Sequence, residues 1–192
     1  MARPQQFDRD TVLKAAMLQF WRHGYASTSM TQLLQVTRLT PSSFYNAFGS
    51  KKDLFLKTIA HYNERVVGAR NRRHLNADDP VKAIENYFCS SFELAPEGEI
   101  HGCMLANAAA EFGAADAQIS QAVQAGFRQI EIAFKQRIED GKARRTIRGD
   151  LDADAAALHL LSCFQGLTII GRLNQNKPQL RSITQSALQA LA

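Results

Sequence analysis

Residues 29–52, SMTQLLQVTRLTPSSFYNAFGSKK, decide how this chain is to be read. A short helix follows Ser29, carries its apolar side on Met30, Leu33 and Leu34, and ends near Thr37 or Arg38. Thr40-Pro41 then starts another, because threonine caps the free N–H groups and proline at the first helical position loses no useful donor. Two short helices joined by a tight turn form the arrangement that sends the second into a DNA major groove. That probing helix is Pro41 to Ala47. With Phe44 turned inward, Ser42, Ser43, Tyr45 and Asn46 are left as its outward chemistry, although a partly buried ring is the other reading of Tyr45.

Upstream, Asp8 caps a helix that presents Leu13, Ala16, Phe20 and Trp21 and stops at Gly24. Downstream, Ser50-Lys51-Lys52-Asp53 resembles a capping box. It opens a longer helix with Phe55, Ile59, Tyr62 and Val66 on one face and a basic end from Arg70 to His74. A polar turn at Asn76-Ala77-Asp78-Asp79-Pro80 precedes renewed helical periodicity through Val81, Ile84, Phe88 and Phe92. Ala95 to Gly102 reads as a loop, and an alanine-rich helix from Cys103 to Phe112 is closed by Gly113. From Asp116, the series Ile119, Val123, Phe127, Ile130, Phe134 and Ile138 keeps one face before Gly141. The helix from Asp152 is apolar nearly all round and should be buried on more than one side. Pro178 starts a last amphipathic helix with Leu180, Ile183, Ala187 and Leu191. The expected class is therefore all-α, with an N-terminal three-helix unit and a larger C-terminal helical domain, divided as 1–52 and 53–192.

Charge follows the same division. Up to Leu75 there are 12 basic and 4 acidic residues, a net of +8; beyond it, 11 basic and 14 acidic leave −3, within an overall +5. A basic end joined to a mildly acidic remainder fits one end that meets a polyanion, or an ordinary solvated surface. Cys89, Cys103 and Cys163 are widely spaced, with no C-x-x-C pair, and no signal peptide precedes them, which points to a reducing cytoplasm. No stretch approaches the ~18–20 uninterrupted apolar residues of a membrane span, so a soluble protein is expected. No G-x-S-x-G, G-x-x-x-x-G-K or G-x-G-x-x-G pattern occurs, which argues against an enzyme, and no cofactor is implied. A helical protein-interaction adaptor without DNA binding is the rival class, since amphipathic helices would serve it equally.

The pattern Phe20-x3-Gly24-Tyr25-x2-Thr28-Ser29-Met30, then Leu33, then Ser43-Phe44-Tyr45-x2-Phe48-x-Ser50-Lys51-x2-Leu54-Phe55 resembles the TetR family of transcriptional repressors. By that resemblance Tyr45 and Lys51 contact the phosphate backbone, Thr28 lies near it, and Ser42, Ser43 and Asn46 sit where bases are read. The probing helix is entered through Thr40 and Pro41. One departure stands out: the family's usual Ala-Gly-hydrophobic turn is Thr37-Arg38-Leu39 here, with arginine where glycine supplies a positive φ. Such strain costs about 1 kcal/mol. It is offset if Arg38 reaches phosphate, and a plain surface arginine is the other reading. The arm Ala2-Arg3-Pro4-Gln5-Gln6 resembles basic tails that enter a minor groove, with Arg3 the strong candidate, or is a loose terminus.

One short helix gives little specificity, so a homodimer reading two half-sites of a palindromic double-stranded operator is expected. The helices from Asp152 and Pro178 have apolar surface enough to pair with their copies as a four-helix bundle. Gly166 and Gly171 would permit close approach there. The resemblance implies the same bundle, and it implies release from DNA by a small-molecule or reactive-electrophile effector. Phe92, Met104, Asn107, Phe112, Phe127, Phe134 and Phe164 could line its cavity, or simply pack the core. His101-Gly102-Cys103-Met104 resembles the branch with a Gly-Cys-hydrophobic sensor helix, making Cys103 the sensor candidate, activated at a helix N-terminus. A buried cysteine packing as a small hydrophobe is the alternative. His101 and Cys103 alone do not make a metal site.

Overall fold

The computed structural model describes residues 7–93, 101–174 and 176–192. The arm at residues 2–6 and most of the expected loop at 95–102 lie outside the described residues. The described residues are helical throughout, in the order α1 Arg9–His23, α2 Met30–Thr37, α3 Pro41–Phe48, α4 Lys51–Tyr62, a π-helical turn Asn63–Gly68, α5 Ala69–His74, α6 Pro80–Glu93, α7 Met104–Phe112, α8 Ala117–Ala143, α9 Ala153–Leu173 and α10 Lys177–Gln189.

Local sequence explains where most of these begin. Asp8, Ser29, Thr40, Ser50, Asp116, Asp152 and Asn176 each place a side-chain oxygen on N–H groups of the following turn. Ser29 and Ser50 form full capping boxes with Gln32 and Asp53. The Ser50 hydroxyl and N–H hold the Asp53 carboxyl below the usual carboxylate range. The expected faces are seated as read, with Ala16, Phe20, Leu33, Phe44, Phe48, Phe55 and Ile59 buried in one small core.

The long helix after Ser50 departs from its sequence reading. A spacing of four makes Val66 the successor of Tyr62, but the π turn adds one residue, and Val67 is the buried side chain while Val66 is only half-buried. Gly126 of α8 makes room for that turn: a Cβ there would lie 2.3 Å from Asn63 Oδ1 and 2.6 Å from Leu105 Cδ1. Helix α8 also runs two residues past Gly141.

In the larger part of the molecule α8 lies along α9, and α10 packs on α6 and α9. Helix α4 serves both parts, packing on α1 on one side and on α7 and α8 on the other. The expectation that α9 is buried on several sides fails for the single chain. Leu160, Phe164, Leu167 and Gly171 are buried, but Leu158, Ile169, Ile170 and Leu173 stand 53%, 51%, 40% and 85% exposed. By length and mean hydropathy (1.4) α9 would be sufficient to cross a membrane, yet its inner side is the core of this domain. Nothing lies within 4 Å of a Cβ built at Gly166, so any close approach there requires a second molecule.

Candidate nucleic-acid interface

Helix α3 is held by its own ends and by two rings. The Thr40 hydroxyl accepts from the Ser43 N–H at 3.3 Å and donates to the Ser43 hydroxyl at 2.9 Å. Phe44 and Phe48 anchor the helix in the core, and Phe48 packs between Phe7 and Phe44. What remains outside is Pro41, Ser42, Tyr45 and Asn46, with Tyr45 56% exposed, so its ring is not a core ring. Ser43 is half-buried and tied into the cap.

The turn before α3 bears out the expected backbone. Arg38 has φ 55° and ψ 29°, a left-handed residue, and its side chain is exposed beside α3. Thr28 corrects an expectation: it is fully buried and its hydroxyl donates to the Gly24 carbonyl at 2.6 Å, so the side chain braces the α1–α2 turn and is not available at the surface. Lys51 stands over the Tyr25 ring at 4.2 Å, where burial pushes its pKa down. Gln35 and Val36 of α2 are also exposed toward the turn, and sequence reading passed over them.

Three features tie this head to the larger domain. Glu111, at the end of α7, accepts from the Tyr25 N–H at 2.8 Å and the Ala26 N–H at 2.5 Å. Gly24 before them has φ 79°, and a Cβ there would meet the Glu111 carboxylate at 3.2 Å. Phe112 packs on Tyr25 and Phe55, with centroids 5.1 and 5.7 Å apart. Lys52 pairs with Asp116 at 2.6 Å, a partly exposed bridge between α4 and the start of α8. Trp21 adds a fourth contact, donating to the Gly102 carbonyl at 3.2 Å. No local sequence signal marks these pairs, since their partners lie 64 to 86 positions away.

The expected effector residues do not converge on one cavity. Phe92, Met104 and Phe164 are buried in the core, and Phe127 is half-buried on α8. Asn107 turns toward the head, donating to the Trp21 carbonyl at 3.5 Å. The surface clefts lie elsewhere, including one of about 340 Å³ between α5 and α8 lined by Asn71, Arg72, Gln129 and Arg137. Cys103 is buried beneath Trp21 and Tyr62, with the Tyr62 hydroxyl 3.8 Å from its sulfur. Burial raises its thiol pKa and outweighs the N–H groups at the start of α7, the reverse of the activation expected from its helix position.

A family model described as bacterial regulatory proteins of the TetR family matches residues 12–58, and one for the tetracyclin repressor-like C-terminal domain matches residues 68–187. The HTH-type transcriptional regulator YezE of Bacillus subtilis is 29% identical over the full length of both chains. The HTH-type transcriptional repressor ComR of Escherichia coli is 26% identical over 97% of this chain and 90% of its own. Among solved structures, a cysteine mutant of the TetR family regulator CifR, complexed with 26-bp double-strand operator DNA, superposes with a TM-score of 0.87 at 26% identity, covering 99% of this chain and 100% of that one. These findings favour a DNA-binding regulator over an adaptor, and the chain belongs to the TetR family of transcriptional regulators.

Proposed function

We propose that the protein is a homodimeric repressor of a palindromic operator, acting in the cytoplasm, with residues 1–52 as reading head and 53–192 as effector and dimer domain. The observation that carries this reading is the outer face of α3, where Ser42, Tyr45 and Asn46 are exposed on a helix fixed by its cap and by Phe44 and Phe48. Small hydroxyls and an amide suit close approach to base edges, and an exposed phenol with nearby Lys51 and Arg38 suits phosphate. Thr40 and Pro41 set the angle of approach, and Thr28 acts through the turn it braces.

The exposed apolar row Leu158, Ile169, Ile170 and Leu173 supports pairing of α9, with α10, against a second copy. Effector release then requires a ligand whose affinity differs between two spacings of the heads. The Glu111, Phe112 and Lys52–Asp116 contacts are a short route for that signal, because they join α7 and α8 to the turn and helix that hold α3 in place.

Selection from a pool of random duplexes with the full-length protein tests the reading. The expected product is an inverted repeat with half-sites about one helical turn apart, bound with a steep salt dependence. Recovery of no consensus, or of a single half-site bound by a monomer, overturns it.

A further inference from the structure

The four rings of Tyr87, Phe88, Phe134 and Phe164 form one cluster with centroids 5.0 to 5.9 Å apart. Over it lies the Arg70 guanidinium, 5.6 Å from the rings of both Tyr87 and Phe164. Arg70 is half-buried and faces no carboxylate among the described residues. The Tyr87 side chain is fully buried, yet its hydroxyl makes no hydrogen bond, Arg70 being near enough to act on it electrostatically only. Cys103 and Tyr62 complete the surroundings and stay neutral in burial, so neither balances the arginine.

A cation stacked on aromatic faces beside an orphaned buried hydroxyl is an unusual expense in a core, since buried polar groups are nearly always satisfied. We propose that Arg70 and Tyr87 form the anion end of an effector site, and that the ligand is a small organic carboxylate with an apolar body. This rests on the effector-regulated reading above. The carboxylate takes paired donors from the guanidinium and the Tyr87 hydroxyl, as planar guanidinium favours, and the apolar body parts the rings of Phe88, Phe134 and Phe164. Because these groups sit on α5, α6, α8 and α9, parting them moves α5 relative to α9. Helix α5 continues α4 through the π turn, and α4 packs on the head.

Calorimetric titration of the full-length protein with benzoate and hexanoate, against benzamide and hexanamide, tests this. The acids should bind and the amides should not. Arg70→Gln should weaken acid binding by about tenfold or more, the factor carried by a charge-assisted pair. Tyr87→Phe keeps the ring and should weaken it several-fold, with an unchanged circular dichroism spectrum. Failure of both acids to bind, equal binding of acids and amides, or undiminished binding by Arg70→Gln overturns the site. Operator anisotropy keeps the two readings apart. Acids that bind but do not release DNA refute the regulatory role and leave the site standing, whereas a protein that binds no operator at all refutes the repressor reading alone.

Discussion

The head and the larger domain differ in how far a single chain completes them. In the head, each of the first four helices has a capping side chain, the rings of Phe20, Phe44, Phe48 and Phe55 fill one core, and the exposed groups of α3 are small and polar. In the larger domain, α9 leaves a row of apolar side chains in water and the core encloses polar atoms without partners, at Tyr87 and Gln165. The contrast teaches which part has to be read together with something else. A rigid, self-sufficient head holds a recognition helix at fixed geometry. A domain whose surface and core are both unfinished can respond to a second copy and to a ligand.

The largest effect is expected where the unfinished surface is spoiled. Ile169 and Leu173 are exposed in the single chain, so Ile169→Glu with Leu173→Glu should change the stability of the isolated chain little. On the proposed pairing of α9 the double variant should sediment as a monomer. Its operator affinity should fall by about a hundredfold, because the second head no longer binds from a tethered position. A variant that remains dimeric would break the contrast, since the apolar row would then be mere exposed surface.

The joint between the two parts should give a smaller effect. Glu111 offers two carboxylate oxygens to two backbone N–H groups of the α1–α2 turn. Glu111→Gln keeps the shape, but turns an amide N–H₂ toward one of those donors and removes the charge from the other bond. The expected cost is about 1 kcal/mol, at the low end for charged hydrogen bonds because the residue is exposed. Thermal unfolding measures it. If the midpoint is unchanged, the clasp does not hold the head and the signal must cross by Phe112 and Lys52–Asp116.

The sequence was most legible where structure is local. Caps at Asp8, Thr40 and Ser50, the inward Phe44 and the left-handed Arg38 all follow from neighbours within four residues. The π turn was invisible because Tyr62 to Val66 satisfies the α spacing, and only the packing of Asn63 into the space at Gly126 selects the extra residue. Thr28 looked like a surface hydroxyl because its acceptor, the Gly24 carbonyl, is a backbone atom that no side-chain pattern reveals. Cys103 looked activated because a helix start is local while burial beneath Trp21 and Tyr62 is not. The Glu111 clasp and the Arg70 cluster have the same character, being assembled from distant segments.

Arg38 sets the finest test of the finished head, since it is the one place where the head departs from local preference. A left-handed conformation costs an L residue about 1–2 kcal/mol, while glycine gives back about 0.5–1 kcal/mol through its greater freedom in the unfolded chain. Arg38→Gly should therefore stabilise the protein by about 0.5 kcal/mol, read as a small rise in the denaturant midpoint at constant slope. If the arginine is kept for a phosphate contact, the same variant should bind its operator more weakly at low salt. Its plot of log affinity against log salt should also be shallower by about 0.9. A stabilised variant with unchanged affinity and slope would mean that the strain at Arg38 serves nothing on DNA. The head would then carry an unfinished element of its own, and the line between the two regions would have to be redrawn.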